Sequence, residues 1–148
     1  AATGVVDILG HRDDMPGLLR GADIAVLPSY HEGAPRFLLE AASAGLPLVA
    51  TDIAGCRIMV RPDENGFLVP ARDSRSLADA IARIVTDPVL LARMGRASRD
   101  LAVREFDIGV VMAQYLDVYC QMGLLPLDRV GVNLQEKHSL QANPNAKD

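Results

Sequence analysis

Apolar and polar positions over the first 70 residues fall into short runs that alternate between two periods. "VVDIL" (Val5 to Leu9), "IAVLP" (Ile24 to Pro28) and "PLVAT" (Pro47 to Thr51) are compact apolar stretches of strand length. A fourth, "NGFLVP" (Asn65 to Pro70), is entered by an Asn-Gly turn. Between them lie helix-like segments: "MPGLLRGA", then "PRFLLEAASA" opened by Pro35, then the short "GCRIMV". Strands and helices linked this tightly predict an α/β fold, a parallel Rossmann-like sheet with helices on both faces.

The pattern changes after Pro70. Leu77, Ile81, Ile84 and Val85 recur at helical spacing behind Asp73 and Ser74, which are suited to capping. Asp87-Pro88 supplies a cap and a first-turn proline for a helix carrying Leu90, Met94, Ala97 and Leu101. Asp107 opens a last helix with Val111, Tyr115 and Tyr119 on one side. These are packing faces, with no chemistry in them. From Pro126 onward the polar stretch "NLQEKHSLQANPNAKD" has too few apolar residues to fold alone and is expected to be disordered, His138 included.

Composition narrows the class. At 148 residues the chain is one domain, or one domain plus appendages, and with 49% hydrophobic but only 4% aromatic residues its core must be built mainly from Ala, Val, Leu and Ile. Nineteen acidic against fifteen basic residues give a net charge of -4, which argues against a nucleic-acid partner. Cys56 and Cys120 match no metal or redox spacing and read as reduced thiols of a cytoplasmic protein. No apolar run approaches the ~20 residues of a membrane span, and no signal segment opens the chain. The first residue is Ala, so the natural start is expected to lie upstream.

Candidate chemistry gathers in "SYHEGAPRFLLEAASAGLPLVATD", Ser29 to Asp52. In an open parallel sheet, ligands collect at the carboxyl ends of the strands. Three loops are expected there: "GHRDD", "SYHEGAP" and "TDIAG". The second runs into a helix whose first amides lack internal partners and whose dipole is positive at the Pro35 end. Gly33 and Ala34 leave the main chain open to an anion, and Arg36 offers a planar cationic fork, so phosphate oxygens would fit. A tight strand-to-helix turn explains the same glycine and proline equally well.

Glu40 shifts the balance. It lies about 7–8 Å along the helix from Pro35, at about 1.5 Å per residue. Unpaired among hydrocarbon it would cost several kcal/mol, on the order of the usual penalty for burying a charge. It therefore either pairs with Arg36 or faces a wet cleft where two ribose hydroxyls can meet it. Glu32 would then reach the opposite end of a ligand ordered sugar, diphosphate, ribose. Of the remaining polar residues, His31 reads as solvent-facing, and Thr51 and Asp52 either line the cleft or cap the "IAG" turn.

Glu32 and Glu40 in this context resemble the paired-glutamate motif of the retaining glycosyltransferases of family 4, the glycosyl transferases group 1. "LGHRDDMPGLLRGADIAVLPS" before the motif, then "NGFLVP", "SLADAIARIVTDP" and "RMGRASR" after it, agree in order. The resemblance spans about Val5 to Tyr119. It implies a partial C-terminal, donor-binding lobe of the two-lobed GT-B fold over residues 1–123, followed by a polar tail, 124–148. It further implies that Glu40 holds ribose hydroxyls and that Glu32, the catalytic candidate, supports the transferred sugar and the charge of the transition state. Gly33, Ala34, Pro35 and Arg36 would face sugar and diphosphate, and His11 and Arg12 the nucleobase.

A nucleotide-diphosphate sugar would be the donor and a glycan, lipid or small molecule the acceptor, with no metal or other cofactor. The expected place of work is the cytoplasm, with the parent protein either in solution or peripheral at the cytoplasmic membrane face. Two departures stand out. The family's acceptor lobe, first strand and glycine-rich basic loop have no counterpart before Val5, and Ile58 replaces a usual Glu. Little transfer activity is therefore expected of the chain alone. The competing readings are a non-catalytic sugar-nucleotide- or partner-binding module and a sugar-nucleotide epimerase fragment.

Overall fold

The computed structural model of the chain describes residues 5–124. The chain forms two units, Ala1–Phe106 and Asp107–Asp148. The first has the order α1 (Met15–Arg20), β1 (Ala25–Leu27), α2 (Arg36–Ser43), β2 (Leu48–Thr51), α3 (Ala54–Arg57), β3 (Gly66–Val69), α4 (Ser74–Val85) and α5 (Pro88–Phe106). In the second, α6 (Ile108–Gln121) starts where Asp107 accepts the Gly109 amide at 2.8 Å. The polar segment expected after Pro126 lies outside the described residues.

The sheet is parallel, in the order β1-β2-β3. Ala25 stands beside Leu48, and Thr51 beside Val69. All four residues of β2 are buried, as a central strand covered on both faces requires. Alternation then divides the core. Ala25, Leu48 and Ala50 join Leu38, Ala41 and Ala42 of α2 on one face, and Val49 and Val69 join Ile84 of α4 and Met94 of α5 on the other. Helices on both faces of a parallel α/β sheet were expected from the pattern of apolar runs, and they are present.

One expected strand is not. Val5 to Leu9 is irregular and exposed, Ile8 at 94%, and pairs with nothing among the described residues. An apolar run becomes a strand only where a neighbouring edge accepts its N–H and C=O groups. The outer edge of β1 is open among the described residues, but this segment does not reach it. The loop "GHRDD" consequently leaves no strand end. Val85 departs too: it is half exposed, while Ile84 carries the α4 contact.

Two close approaches fix the sheet's surroundings. A Cβ on Gly66 would collide with the Leu48 backbone, so β3 lies against β2 only because that position has no side chain. Just before it, buried Asn65 does more than turn the chain. Its side-chain amide donates to the Met59 carbonyl at 2.9 Å, and its side-chain oxygen accepts the Arg61 amide at 2.7 Å. This ties the residues after α3 to the start of β3.

Candidate functional site

Four of the six helices start from a capping Asp, and the other two from a Pro and an Ile that cap nothing. Asp14, Asp73, Asp87 and Asp107 accept amides in the first turns of α1, α4, α5 and α6. No side chain caps α2, which follows Pro35, or α3, which follows Ile53. Both uncapped helices begin just past the carboxyl ends of strands, β1 and β2 respectively. Their first amides are therefore available at the sheet edge where ligands of such folds gather.

Glu40 lies on α2, half exposed, in the wall of a cleft of about 1000 Å³. His11, Arg12, Arg20 and Arg36 line the same cleft, with Met15, Leu19 and Leu39 as its apolar part. Both possibilities raised by the sequence are realised together. The Arg36 guanidinium approaches the Glu40 carboxylate at 3.4 Å, a loose contact, while the carboxylate still borders the open cleft. Such an exposed i,i+4 pair is worth only a few tenths of a kcal/mol, roughly 0.3–0.5, so a ligand could take over either partner at little cost. Three arginines against Glu40 and Asp13 leave the cleft electropositive, and His11 is 3.2 Å from Asp13.

His11 and Arg12 reach this cleft on the segment leading into α1, rather than on a loop leaving a strand. Ala34, Pro35 and Arg36 line a smaller adjoining cavity of about 150 Å³, with Leu39, Ile58 and Phe106. Ile58 therefore presents hydrocarbon here. Gly33 is exposed, and a Cβ added to it would meet nothing within 4 Å, so the main chain there is open to approach.

Glu32 lines neither space. It is half buried, and its carboxylate accepts the Ser29 hydroxyl at 2.7 Å. Its own backbone is seated against α3: a Cβ on Gly55 would strike the carbonyl oxygens of Glu32 and Gly33. Beneath it, burial first and the Glu32 charge second push the Cys56 thiol up from its ordinary pKa, so this cysteine stays protonated and packs as a small apolar residue. Both cysteines are free. Ser29 was not singled out by sequence; the signal was its place three residues before Glu32.

The remaining candidates separate. His31 is exposed. Asp52 pairs with Arg57 at 2.6 Å, and that hydrogen bond, with the guanidinium charge, holds its carboxyl below the usual range. Thr51 faces a different cavity, on the α4 side. Among the described residues no group of three or more His, Cys, Asp or Glu could hold a metal ion, and no helix is long and apolar enough to cross a membrane.

This geometry has close counterparts. The chain is 37% identical over 115 residues to the UDP-Gal:alpha-D-GlcNAc-diphosphoundecaprenol alpha-1,3-galactosyltransferase of Escherichia coli, covering 78% of this chain and 30% of that protein. It is 39% identical over 126 residues to the phosphatidyl-myo-inositol mannosyltransferase of Mycobacterium leprae, covering 80% and 33%. It thus spans about a third of the length of these curated relatives. Among solved structures it is similar to Anabaena HepE in complex with UDP-glucose, with a TM-score of 0.75 at 28% identity over 80% of this chain and 33% of that one. A C-terminal domain of a glycosyl transferase group 1 family protein from Francisella tularensis aligns with a TM-score of 0.62 at 26% identity, over 70% of this chain and 53% of that one. The model of the glycosyl transferases group 1 family matches residues 1–87, more than half of the sequence, and the chain belongs to that family.

Proposed function

We propose that this chain is the donor-binding part of a retaining glycosyltransferase of family 4, which transfers a sugar from a nucleotide-diphosphate sugar to an acceptor. One observation carries the reading: Glu40, the only carboxylate of a helix whose other residues past Arg36 are apolar or small, borders an open, arginine-lined cleft rather than the core. The UDP and UDP-glucose complexes of a structural neighbour support a nucleotide-sugar as the ligand class.

In this reading Glu40 accepts hydrogen bonds from the two ribose hydroxyls, and His11 and Arg12 stand toward the base. The uncapped amides at the start of α2, reached across Gly33 and Ala34, take the diphosphate with help from Arg36. Glu32, oriented by Ser29, faces the sugar. As the bond between the sugar's anomeric carbon and the diphosphate breaks, positive charge grows on the sugar and negative charge on the leaving group. A fixed carboxylate and fixed amides stabilise these without reorganising, which is how preorganised sites lower a barrier. No metal is assigned a part in this scheme.

The open edge of β1 and the exposed Val5 to Leu9 run support a lobe that is incomplete here, completed by earlier strands and by an acceptor lobe in the parent protein. The 148-residue chain should therefore bind donor yet turn over little; robust transfer from UDP-glucose by this chain would overturn the assignment. Calorimetric titration with UDP tests the site itself. Replacing a carboxylate that accepts two hydroxyls forfeits about 1.5–3 kcal/mol, so Glu40→Gln should weaken UDP binding about 10- to 100-fold. An unchanged Kd would remove the ribose role.

A further inference from the structure

α2 carries most of the proposed donor site, yet little within the helix fixes where it lies. It has eight residues, no side chain caps its start, and two of its three buried residues, Ala41 and Ala42 beside Leu38, are alanines that interlock weakly with their neighbours. A helix this short is marginal by itself, so its place is set by what grips it from outside. The grip is at the carboxyl end. Gly45, at φ 80, closes the helix: its amide donates to the Ala42 carbonyl at 2.9 Å, and the Leu46 amide donates to the Ala41 carbonyl at 3.1 Å. The Ser43 carbonyl is left over, because the residue four positions on is Pro47, which has no N–H. The Arg99 guanidinium of α5 donates to that carbonyl at 2.6 Å.

This contact works as a clamp. A Cβ on Gly95 would strike the Gly45 carbonyl oxygen, so α5 is pressed against the end of α2 about one turn before Arg99. Arg99 reaches across 56 positions of sequence, and no carboxylate pairs with it among the described residues. A cation at the carboxyl end of a helix also meets the negative end of its dipole, so charge and hydrogen bond act together. Ser43 lies three residues after Glu40, roughly 4.5 Å along the axis at about 1.5 Å per residue. Both line the same cleft. At the other end Arg36 holds the Glu40 carboxylate only loosely, at 3.4 Å. The aim of that carboxylate therefore depends on where the backbone of the last turn of α2 is held.

We infer that Arg99 is a positioning residue for donor binding: through the Ser43 carbonyl it sets the last turn of α2, and so the aim of Glu40 into the cleft. The inference rests on the reading that Glu40 holds the ribose. Arg99 lines a separate groove and not the Glu40 cleft, so it acts through the helix alone.

Calorimetric titration of the chain and its variants with UDP, beside thermal unfolding, tests it. Arg99→Met keeps a good helix former at an exposed position and removes the donor. It should weaken UDP binding about three- to tenfold, the loss of one hydrogen bond's worth of alignment. Arg99→Lys, which keeps a charged donor, should recover most of that loss. In a chain already carrying Glu40→Gln, Arg99→Met should weaken binding by less than about twofold, because the carboxylate it aims is gone. Ile84→Val, in the core on the other face of the sheet, should lower Tm and leave UDP affinity unchanged, which separates aim from stability. An unchanged Kd in Arg99→Met, a lysine variant as weak as the methionine one, the same loss with and without Glu40, or an equal loss in Ile84→Val would each overturn the inference. If Glu40→Gln weakens UDP binding and Arg99→Met does not, only this inference fails. If the unaltered chain does not bind UDP, or Glu40→Gln leaves its Kd unchanged, the ribose role falls and the inference falls with it.

Discussion

Val5 to Leu9 and Leu46 to Ala50 are near-equals in hydrophobicity and opposites in fate. The second run is buried along its length, with Leu48 at 0% exposure; the first is exposed, with Ile8 at 94%. Side-chain preference for strand is similar in both, so it does not make the difference. β2 has a ladder on each side, β1 and β3, and a helix on each face, whereas the first run has neither among the described residues. Burial needs both apolar side chains and a neighbour that satisfies the backbone.

Substitutions can break that contrast, and the largest effects belong in β2 and its partner. Leu48→Ala should cost about 2–5 kcal/mol in urea unfolding, the range for deleting a fully buried leucine side chain. Gly66→Ala should cost at least as much, since its Cβ strikes the Leu48 backbone directly. If either were neutral, β2 would not be the keystone described here.

A smaller effect comes from a purely local device. Asp73→Ala removes the cap of α4 and should lower Tm by a few degrees. The Ser76 hydroxyl first, then the Ser76 and Arg75 amides, hold the Asp73 carboxyl below its ordinary value. Its stabilising contribution is therefore complete above the unfolded carboxyl value of about 3.9 and is lost as pH falls through the lower folded value. The Tm difference between wild type and Asp73→Ala should shrink in that acid window and stay constant above it; a difference that persisted at the lowest pH would show that the cap is not electrostatic.

Arg72→Gly should act in the opposite direction, raising stability by about 0.5–1 kcal/mol through relief of a left-handed conformation, less whatever the Tyr30 contact supplies. A loss of stability would mean that the ring contact outweighs the strain. Smallest of all, Ile8→Ala should stay within about 0.5 kcal/mol of wild type. A larger loss would show that the exposed run finds a partner in solution.

Much of the site could be read before any coordinates. A single carboxylate among Phe37, Leu38, Leu39, Ala41 and Ala42 has to face water or a partner, whatever the tertiary structure, because burial without one is too costly. The structure gives Glu40 both, a loose Arg36 contact and an open cleft. Gly33, Ala34 and Pro35 likewise announced an accessible main chain leading into a helix, and α2 does begin without a side-chain cap. Ser29 and Arg72 were not legible in the same way. Ser29 is one of many serines until its hydroxyl is found 2.7 Å from Glu32. The pairing of Arg72 with Tyr30 spans 42 positions and appears only when β1 and β3 bring their loops to one edge.

What the sequence determined by itself was local: the periods that make helices and the central strands, the capping aspartates, the place of each glutamate relative to the start of α2, and the family. These follow from interactions a few residues long, whose geometry the chain carries wherever it goes. Only the tertiary structure decided which apolar run is buried, which polar groups share a cavity, and that Glu40 and Thr51 open onto different faces of the sheet. Those outcomes depend on ladders and packing between distant segments, and no single segment encodes its partner.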